Sequence, residues 1–253
     1  MSIVYEHVSF AYPFKRNQWL PTLQDVSFTV ETGEFICLVG PSGCGKSTLL
    51  KLTSGLLKAG EGKIRFTIPT TPDRPQVAMV FQQYGVFPWL NVLDNITFGL
   101  QRHALTATAK QARAQEYLER VHLSGFEHAF PDQLSGGMQQ RVNLARAFAA
   151  DAAVLLMDEP FGSLDAQTKL TLQAELLHIW EAERKTVVFI THDVDEALLL
   201  SDRILVFSPR PAMVKSEIIV PLPRPRHFRD LDDAAIRELR WRIWDQLEVL
   251  KHV

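Results

Sequence analysis

The run Gly40-Pro41-Ser42-Gly43-Cys44-Gly45-Lys46-Ser47-Thr48 has the residue types and spacing to hold a triphosphate. Glycines at 40, 43 and 45 let the backbone wrap an anion closely, where side chains would block the approach. Lys46 adds a full positive charge, and the Ser47 hydroxyl is a hard oxygen ligand suited to Mg²⁺. The context supports this chemistry. The apolar run Glu34 to Val39 comes before the loop and Leu49-Leu50-Lys51-Leu52 after it, so strand, loop and helix follow in order. A helix starting there directs its unpaired N–H groups and positive dipole end at the phosphates. The bland alternative, a glycine-rich turn that binds nothing, does not call for the lysine and the hydroxyl in these places.

Four further features stand where strands should end, the place where ligands bind in parallel α/β sheets. Asp158 closes the apolar run Ala153 to Met157, and its carboxylate could hold Mg²⁺ through water. Glu159 follows, placed to polarise water against a γ-phosphate. Gln82 ends the run Val77 to Phe81 and could reach the metal or the attacking water. His192 ends the run Thr186 to Ile190, where an imidazole could contact the γ-phosphate. Taken singly, Gln82 reads equally well as a surface glutamine and His192 as a structural histidine. Ser135-Gly136-Gly137 at the start of a helix offers small residues, free N–H groups and a hydroxyl, a second anion site or simply an N-capped helix. A second anion site makes sense if two chains clamp each nucleotide between one chain's loop and the other chain's Ser-Gly-Gly helix.

The elements that must position these residues read as follows. Ile3 to Phe10 and Leu23 to Val30 alternate apolar and polar residues, as half-buried antiparallel strands do, with Tyr12 to Pro21 a proline-bounded aromatic loop between them. A strand from Lys63 to Ile68 and a turn-rich connection from Thr70 to Pro75 come next. From Pro88 to Ala150 the pattern is helical, with Leu93, Ile96 and Leu100 on one face, and reads as a lobe inserted into an α/β core. Leu170 to Trp180 is a helix, and Ile204 to Phe207 and Lys215 to Val220 are short antiparallel strands. The tail begins Pro221-Leu222-Pro223-Arg224-Pro225-Arg226, which cannot be helical, and ends in a helix from Asp232 to Leu250 with Ile236, Leu239, Ile243, Leu247 and Leu250 as its apolar stripe.

Composition narrows the function classes. The chain has 253 residues, 46% hydrophobic and 22% charged, enough for a sizeable core. Its net charge of −2, from 27 basic and 29 acidic side chains, supplies no positive field for nucleic acid. Cys37 and Cys44 have no metal-ligand spacing and read as reduced thiols of a cytosolic protein. Met1-Ser2-Ile3 opens a strand rather than a signal peptide. The longest apolar stretches, such as Ala152 to Met157 and Ala197 to Leu200, fall far short of the roughly 20 residues a spanning helix needs.

Taken together, Gly40 to Ser47, Gln82, Leu134 to Gln140, Asp158-Glu159, Ser163-Leu164-Asp165 and His192 resemble the ATP-binding cassette (ABC) ATPases over residues 1–220. No motif departs from the catalytically competent pattern. The resemblance implies an α/β fold: a P-loop NTPase core with an antiparallel β subdomain, a helical lobe inserted at about 88–150, and a tail at 221–253. It implies ATP and Mg²⁺ as ligands, Lys46 and Ser47 as the Walker A pair, and Gly40, Pro41, Ser42, Gly43, Cys44, Gly45 and Thr48 as the rest of the phosphate cradle. It implies Gln82 as the Q-loop glutamine, Asp158 as the Walker B aspartate, Glu159 as the base and His192 as the switch histidine. Ser135, Gly136, Gly137 and Gln139 become signature contacts made in trans, and Asp165 the D-loop aspartate. Tyr12 falls where the family places its adenine-stacking aromatic, with Trp19 as the alternative.

Within the family, a separate ATPase resembles the energising subunit of a bacterial importer, a homodimer on the cytoplasmic face of the membrane beneath permease subunits and served by a solute-binding protein. Phe87-Pro88-Trp89, Ser208-Pro209-Arg210-Pro211 and Leu222 to Arg226 resemble the nitrate, sulfonate and taurine group. The length leaves no room for the C-terminal regulatory domain of sugar-importer ATPases. The aromatic and apolar residues Tyr84, Val86, Phe87, Trp89 and Leu90 are expected to meet the permease or to fill the seam of the inserted lobe. The competing class is an ABC ATPase of DNA repair or translation, which the single cassette, absent coiled coil and slightly acidic balance disfavour.

Overall fold

The computed structural model describes residues 3–68, 73–82 and 85–249, with residues 248 and 249 described by their backbone only. Met1, Ser2, Thr70 to Pro72, Tyr84 and Leu250, all part of the expectations above, lie outside the described residues. In chain order the elements are β1 (Ile3–Lys15), β2 (Gln18–Val30), β3 (Phe35–Val39), α1 (Lys46–Thr53), β4 (Glu61–Phe66) and β5 (Val77–Val80). There follow α2 (Val92–Phe98), α3 (Ala107–Arg120), α4 (Gly136–Ala149), β6 (Val154–Asp158) and α5 (Ala166–Glu183). The chain closes with β7 (Thr186–Ile190), α6 (Val194–Leu200), β8 (Arg203–Phe207), β9 (Val214–Ile219) and α7 (Ala234–Val249).

The chain divides into two compact units, Met1–Ile68 with Lys185–Val253, and Pro69–Arg184. The first unit contains two sheet structures. β1 pairs antiparallel with β2 on one side and β4 on the other. β3 lies between β7 and β8, parallel to both, and β9 adds antiparallel to β8. β3 and β7 are buried along their whole length, which accounts for their unbroken apolar sequence. The antiparallel sheet is tied to α1 through Tyr5, stacked on Phe28 at 4.1 Å, whose hydroxyl shares a 2.9 Å hydrogen bond with Thr53. In the second unit β5 pairs parallel with β6, and α2, α3 and α4 pack on one another as the helical lobe.

Polar side chains set most helix starts. Asn91, Thr106, Ser135, Asp165 and Asp193 each accept a backbone N–H in the first turn of α2, α3, α4, α5 and α6. On α2 the expected face of Leu93 and Ile96 is buried, as is Leu100 just beyond. On α7, Ile236 and Ile243 are buried while Leu239 and Leu247 are half-buried.

One expectation is corrected. Tyr12 to Pro21 is not a loop: β1 and β2 run on to a two-residue turn at Arg16 and Asn17, with Lys15 opposite Gln18. Asn17 takes the left-handed conformation that closes the turn (φ 62°). The prolines are tolerated because β2 is an edge strand and β4 pairs with β1 only as far as Ser9, leaving Pro13 with a free side. The helix boundaries also move. α5 runs beyond Leu170 and Trp180 at both ends, and Asp232 belongs to a 3-10 turn before α7.

Candidate functional site

In the first unit the phosphate loop joins β3 to α1. Gly43 and Gly45 have φ of +72° and +132°, conformations that side chains disfavour. At Gly45 a Cβ would also come within 2.9 Å of the Thr22 carbonyl oxygen. Gly45 caps α1 without a side-chain hydrogen bond. The Lys46 ammonium is buried and donates to the carbonyl oxygens of Gly40 (2.8 Å) and Pro41 (3.0 Å). The loop is therefore already curled around a cation. Ser42 and Gly43 are exposed, Ser47 is half-buried, and Thr48 is buried. Cys44 packs into the interior beneath the loop, 3.9 Å from the Lys46 nitrogen. Cys37 is also buried, and burial pushes its thiol pKa well up, so it is a packing residue.

Tyr12 is half-buried, packed edge-on against Phe10 at 4.8 Å, with its hydroxyl 3.3 Å from Thr48 Oγ1. It therefore borders the loop helix. Trp19 lies one pair further along the hairpin, opposite Pro13, and is 67% exposed. Pairing of Leu38 with Ile190 brings the end of β7 beside the end of β3, so exposed His192 is at the same sheet edge as the phosphate loop. Thr191 and Asp193 brace it. Thr191 Oγ1 accepts the Asp193 N–H at 3.0 Å, and the Asp193 carboxylate caps α6.

In the second unit, Val80 pairs with Met157, which brings Gln82 and Asp158-Glu159 to one edge. Gln82 Nε2 donates to Glu159 Oε2 at 3.3 Å. Asp158 is 8% exposed and Glu159 half-buried. Glu159 adopts φ 44°, which costs a non-glycine residue roughly 1–2 kcal/mol. A cost of that size at an acidic residue beside a polar partner marks a side chain whose direction matters.

Ser135 caps α4, its hydroxyl accepting the Met138 N–H at 3.3 Å, and it is exposed. Gly137 packs so close to α5 that a Cβ would come within 2.6 Å of Thr168 Cγ2. Asp165 in turn accepts the Thr168 N–H at 3.0 Å, and that bond draws its carboxyl below the usual carboxylate range. The Ser-Gly-Gly helix and the Asp165 cap thus meet at one residue, Thr168. The Gln139 amide turns inward and donates to Pro131 O (2.8 Å) and Leu134 O (3.3 Å), fixing the turn that leads into α4.

In the same unit Phe87 packs on Trp89 (5.4 Å) and Phe98 (4.5 Å), with the Arg146 guanidinium 4.9 Å over its ring. Arg146 also donates to Gly85 O at 2.6 Å, and burial lowers its pKa. Trp89 is 70% exposed. Phe87 is thus part of the lobe's own packing, and Trp89 is its outward surface.

Sequence reasoning missed two groups. Arg210 donates from Nε (3.1 Å) and Nη2 to the carbonyl oxygen of Gly43, inside the phosphate loop. Arg224 and Arg226 bond the last carbonyls of α6, the helix that follows His192. In each case the arginine lies in a proline-rich segment whose sequence gives no bonding partner for it. The signal in the sequence was a strongly donating side chain set directly beside a proline.

Comparison with known proteins places these motifs in company. The ABC transporter family model matches residues 23–162. An ABC transporter ATP-binding protein of Methanocaldococcus jannaschii is 44% identical over 97% of this chain and 92% of its own length. An aliphatic sulfonates import ATP-binding protein of Bacillus cereus is 41% identical over 94% of this chain and 92% of its own. Among solved structures, a dimeric ATP-binding cassette in a post-hydrolysis state bound to ADP and Pi superimposes with a TM-score of 0.75 at 31% identity, covering 87% of this chain and all of that one. No helix among the described residues is long and apolar enough to cross a membrane.

Proposed function

The chain belongs to the ABC transporter family, and from that premise we propose that it energises an importer for a small solute such as nitrate, a sulfonate or taurine. It is an ATPase with an α/β P-loop core, an antiparallel β subdomain and a helical lobe. The observation that carries the importer reading is the near-full-length likeness to the sulfonate-import protein. Phe87-Pro88-Trp89, Ser208 to Pro211 and Leu222 to Arg226 support it as shared habits of that group.

In this reading residues 40–48 cradle the triphosphate, Lys46 neutralises phosphate charge, and Tyr12 rather than Trp19 stacks on the base because its hydroxyl already borders α1. Ser47, Asp158 and Gln82 offer only hard oxygen donors, a set that fits Mg²⁺ retaining water and phosphate ligands. Bound there, Mg²⁺ would offset charge building on the phosphate oxygens. Glu159 takes a proton from the attacking water, and its bond to Gln82 orients the carboxylate. His192 contacts the γ-phosphate. Ser135, Gly136 and Gly137 serve the nucleotide of a second copy, head to tail, with Gln139 holding their turn and Asp165 their neighbouring helix.

Residues 1–220 form the cassette and 221–253 the tail. The dimer sits at the cytoplasmic face beneath permease subunits, Trp89 facing them, with a solute-binding protein upstream and no nucleic acid involved. Uptake tests this reading. A host lacking the gene should lose uptake of one labelled solute among nitrate, taurine and alkanesulfonates. The wild-type gene should restore it and Glu159→Gln should not. Unchanged uptake of all three would refute the importer assignment.

A further inference from the structure

We infer that Arg210 is a positioning residue for the phosphate loop, holding the Gly43–Cys44 peptide in the orientation that nucleotide requires. The inference rests on the reading of residues 40–48 as the phosphate cradle.

The geometry begins with the strands. β8 runs parallel to β3 with Val206 opposite Val39, so the segment after β8 emerges beside the segment after β3. Gly40 touches that neighbour directly, since a Cβ there would lie 3.0 Å from the Phe207 carbonyl oxygen. The turn at 208–213 is held from two sides. Within it, Ser208 N donates to Met213 O at 3.0 Å and Met213 N to Ser208 Oγ at 2.9 Å. Against β2, Ala212 N donates to Thr22 O (2.9 Å) and Ala212 O accepts from Gln24 N (3.0 Å), with Ala212 wholly buried. Arg210 therefore projects from a fixed platform.

Its guanidinium directs Nε and Nη2 to one acceptor, Gly43 O. It makes no ion pair among the described residues, so a full positive charge stands beside the loop. The other end of the same peptide is also held, because Cys44 N donates to Pro41 O at 3.3 Å. Pro41 to Cys44 is thus a turn with Gly43 at its third position, where a type II turn needs a positive φ. Glycine makes that conformation possible without making it unique, since it populates both signs of φ with similar ease. A flipped Gly43–Cys44 peptide would lose the Cys44 N–H bond to Pro41 O and open the turn from which the loop amides are presented. The two-pronged bond from Arg210 anchors the carbonyl and so selects one peptide orientation.

The test compares wild type, Arg210→Lys and Arg210→Ala for ADP affinity by calorimetry and for amide hydrogen exchange across residues 42–47. Arg210 is exposed, so thermal melts should show all three proteins folded. A lost charge-assisted hydrogen bond corresponds to about a tenfold weaker ADP affinity in Arg210→Ala. Lysine, a point charge without the fork, should fall between. The nucleotide-free loop amides should exchange faster in Arg210→Ala and return to wild-type protection at saturating ADP. Alanine affinity within twofold of wild type, or unchanged loop exchange, would overturn the inference. Should Arg210→Ala not fold, Arg210→Lys with wild-type affinity and exchange would overturn it equally. Failure of the wild-type protein to bind ADP would instead refute the nucleotide reading itself, so the two failures are distinguishable.

Discussion

Arg226→Met is predicted to destabilise the protein by about 3–6 kcal/mol, because the tail arginines complete the end of α6. A helix leaves its last carbonyls without intrahelical partners. Here Leu200 O accepts from Arg224 Nη2 at 2.8 Å, while Leu198 O and Leu199 O accept from Arg226 Nη1 at 3.2 and 3.4 Å. The shortest Arg226 bonds go to Ser201 O (2.6 Å) and Leu222 O (2.9 Å). Arg226 is 5% exposed, so water does not readily replace it. Methionine keeps the apolar, unbranched stem and donates nothing. Two to three buried acceptors lose their partner, each at about 1.5–2 kcal/mol, and the sum is a large part of the stability of a typical domain. Guanidinium chloride unfolding followed by tryptophan fluorescence would measure the loss, with Arg226→Lys expected to recover only part of it. A loss below about 1 kcal/mol for methionine would refute the capping argument, since that is the cost of a single ordinary hydrogen bond.

Other outcomes follow from the site. Glu159→Gln keeps the shape and loses the base, so ATP turnover should fall about 10²- to 10⁴-fold while a fluorescent ATP analogue still binds; near wild-type phosphate release would remove Glu159 from that role. The same variant should elute as an ATP-loaded dimer in size-exclusion chromatography. Trp89→Glu should lose copurification with the permease without lowering the melting temperature, because the ring is 70% exposed. Retained copurification would move the docking surface elsewhere.

The loop at residues 40–48 was legible because Gly43 and Gly45 take positive φ, Lys46 carries its charge, and a strand and a helix frame it. The buried strands β3, β6 and β7 were legible for a related reason: burial on both faces leaves an unbroken apolar run. The Tyr12 to Pro21 stretch misled because two prolines argue for a loop, and only the pairing partner shows that β2 is an edge where proline is tolerated. Arg210, Arg224 and Arg226 were not legible as functional or structural groups. Their partners are main-chain carbonyls, which carry no sequence signature, and in Arg210's case the acceptor is 167 residues away. Gly137 carried two readings in the sequence, a ligand contact and a helix start. The structure adds a third, close packing on Thr168 of α5.

The central claim is that each nucleotide lies between the phosphate loop of one chain and the Ser135 helix of another. Lys46→Ala and Ser135→Arg should each abolish ATPase in the homodimer, since each damages both sites. Mixing the two variants creates dimers in which one site combines both lesions and the other combines an intact Lys46 with an intact Ser135. Phosphate release from the mixture, with subunit exchange verified by two distinguishable tags, is the measurement. The account predicts partial return of activity. A mixture that exchanges subunits and stays as silent as either variant alone would contradict it.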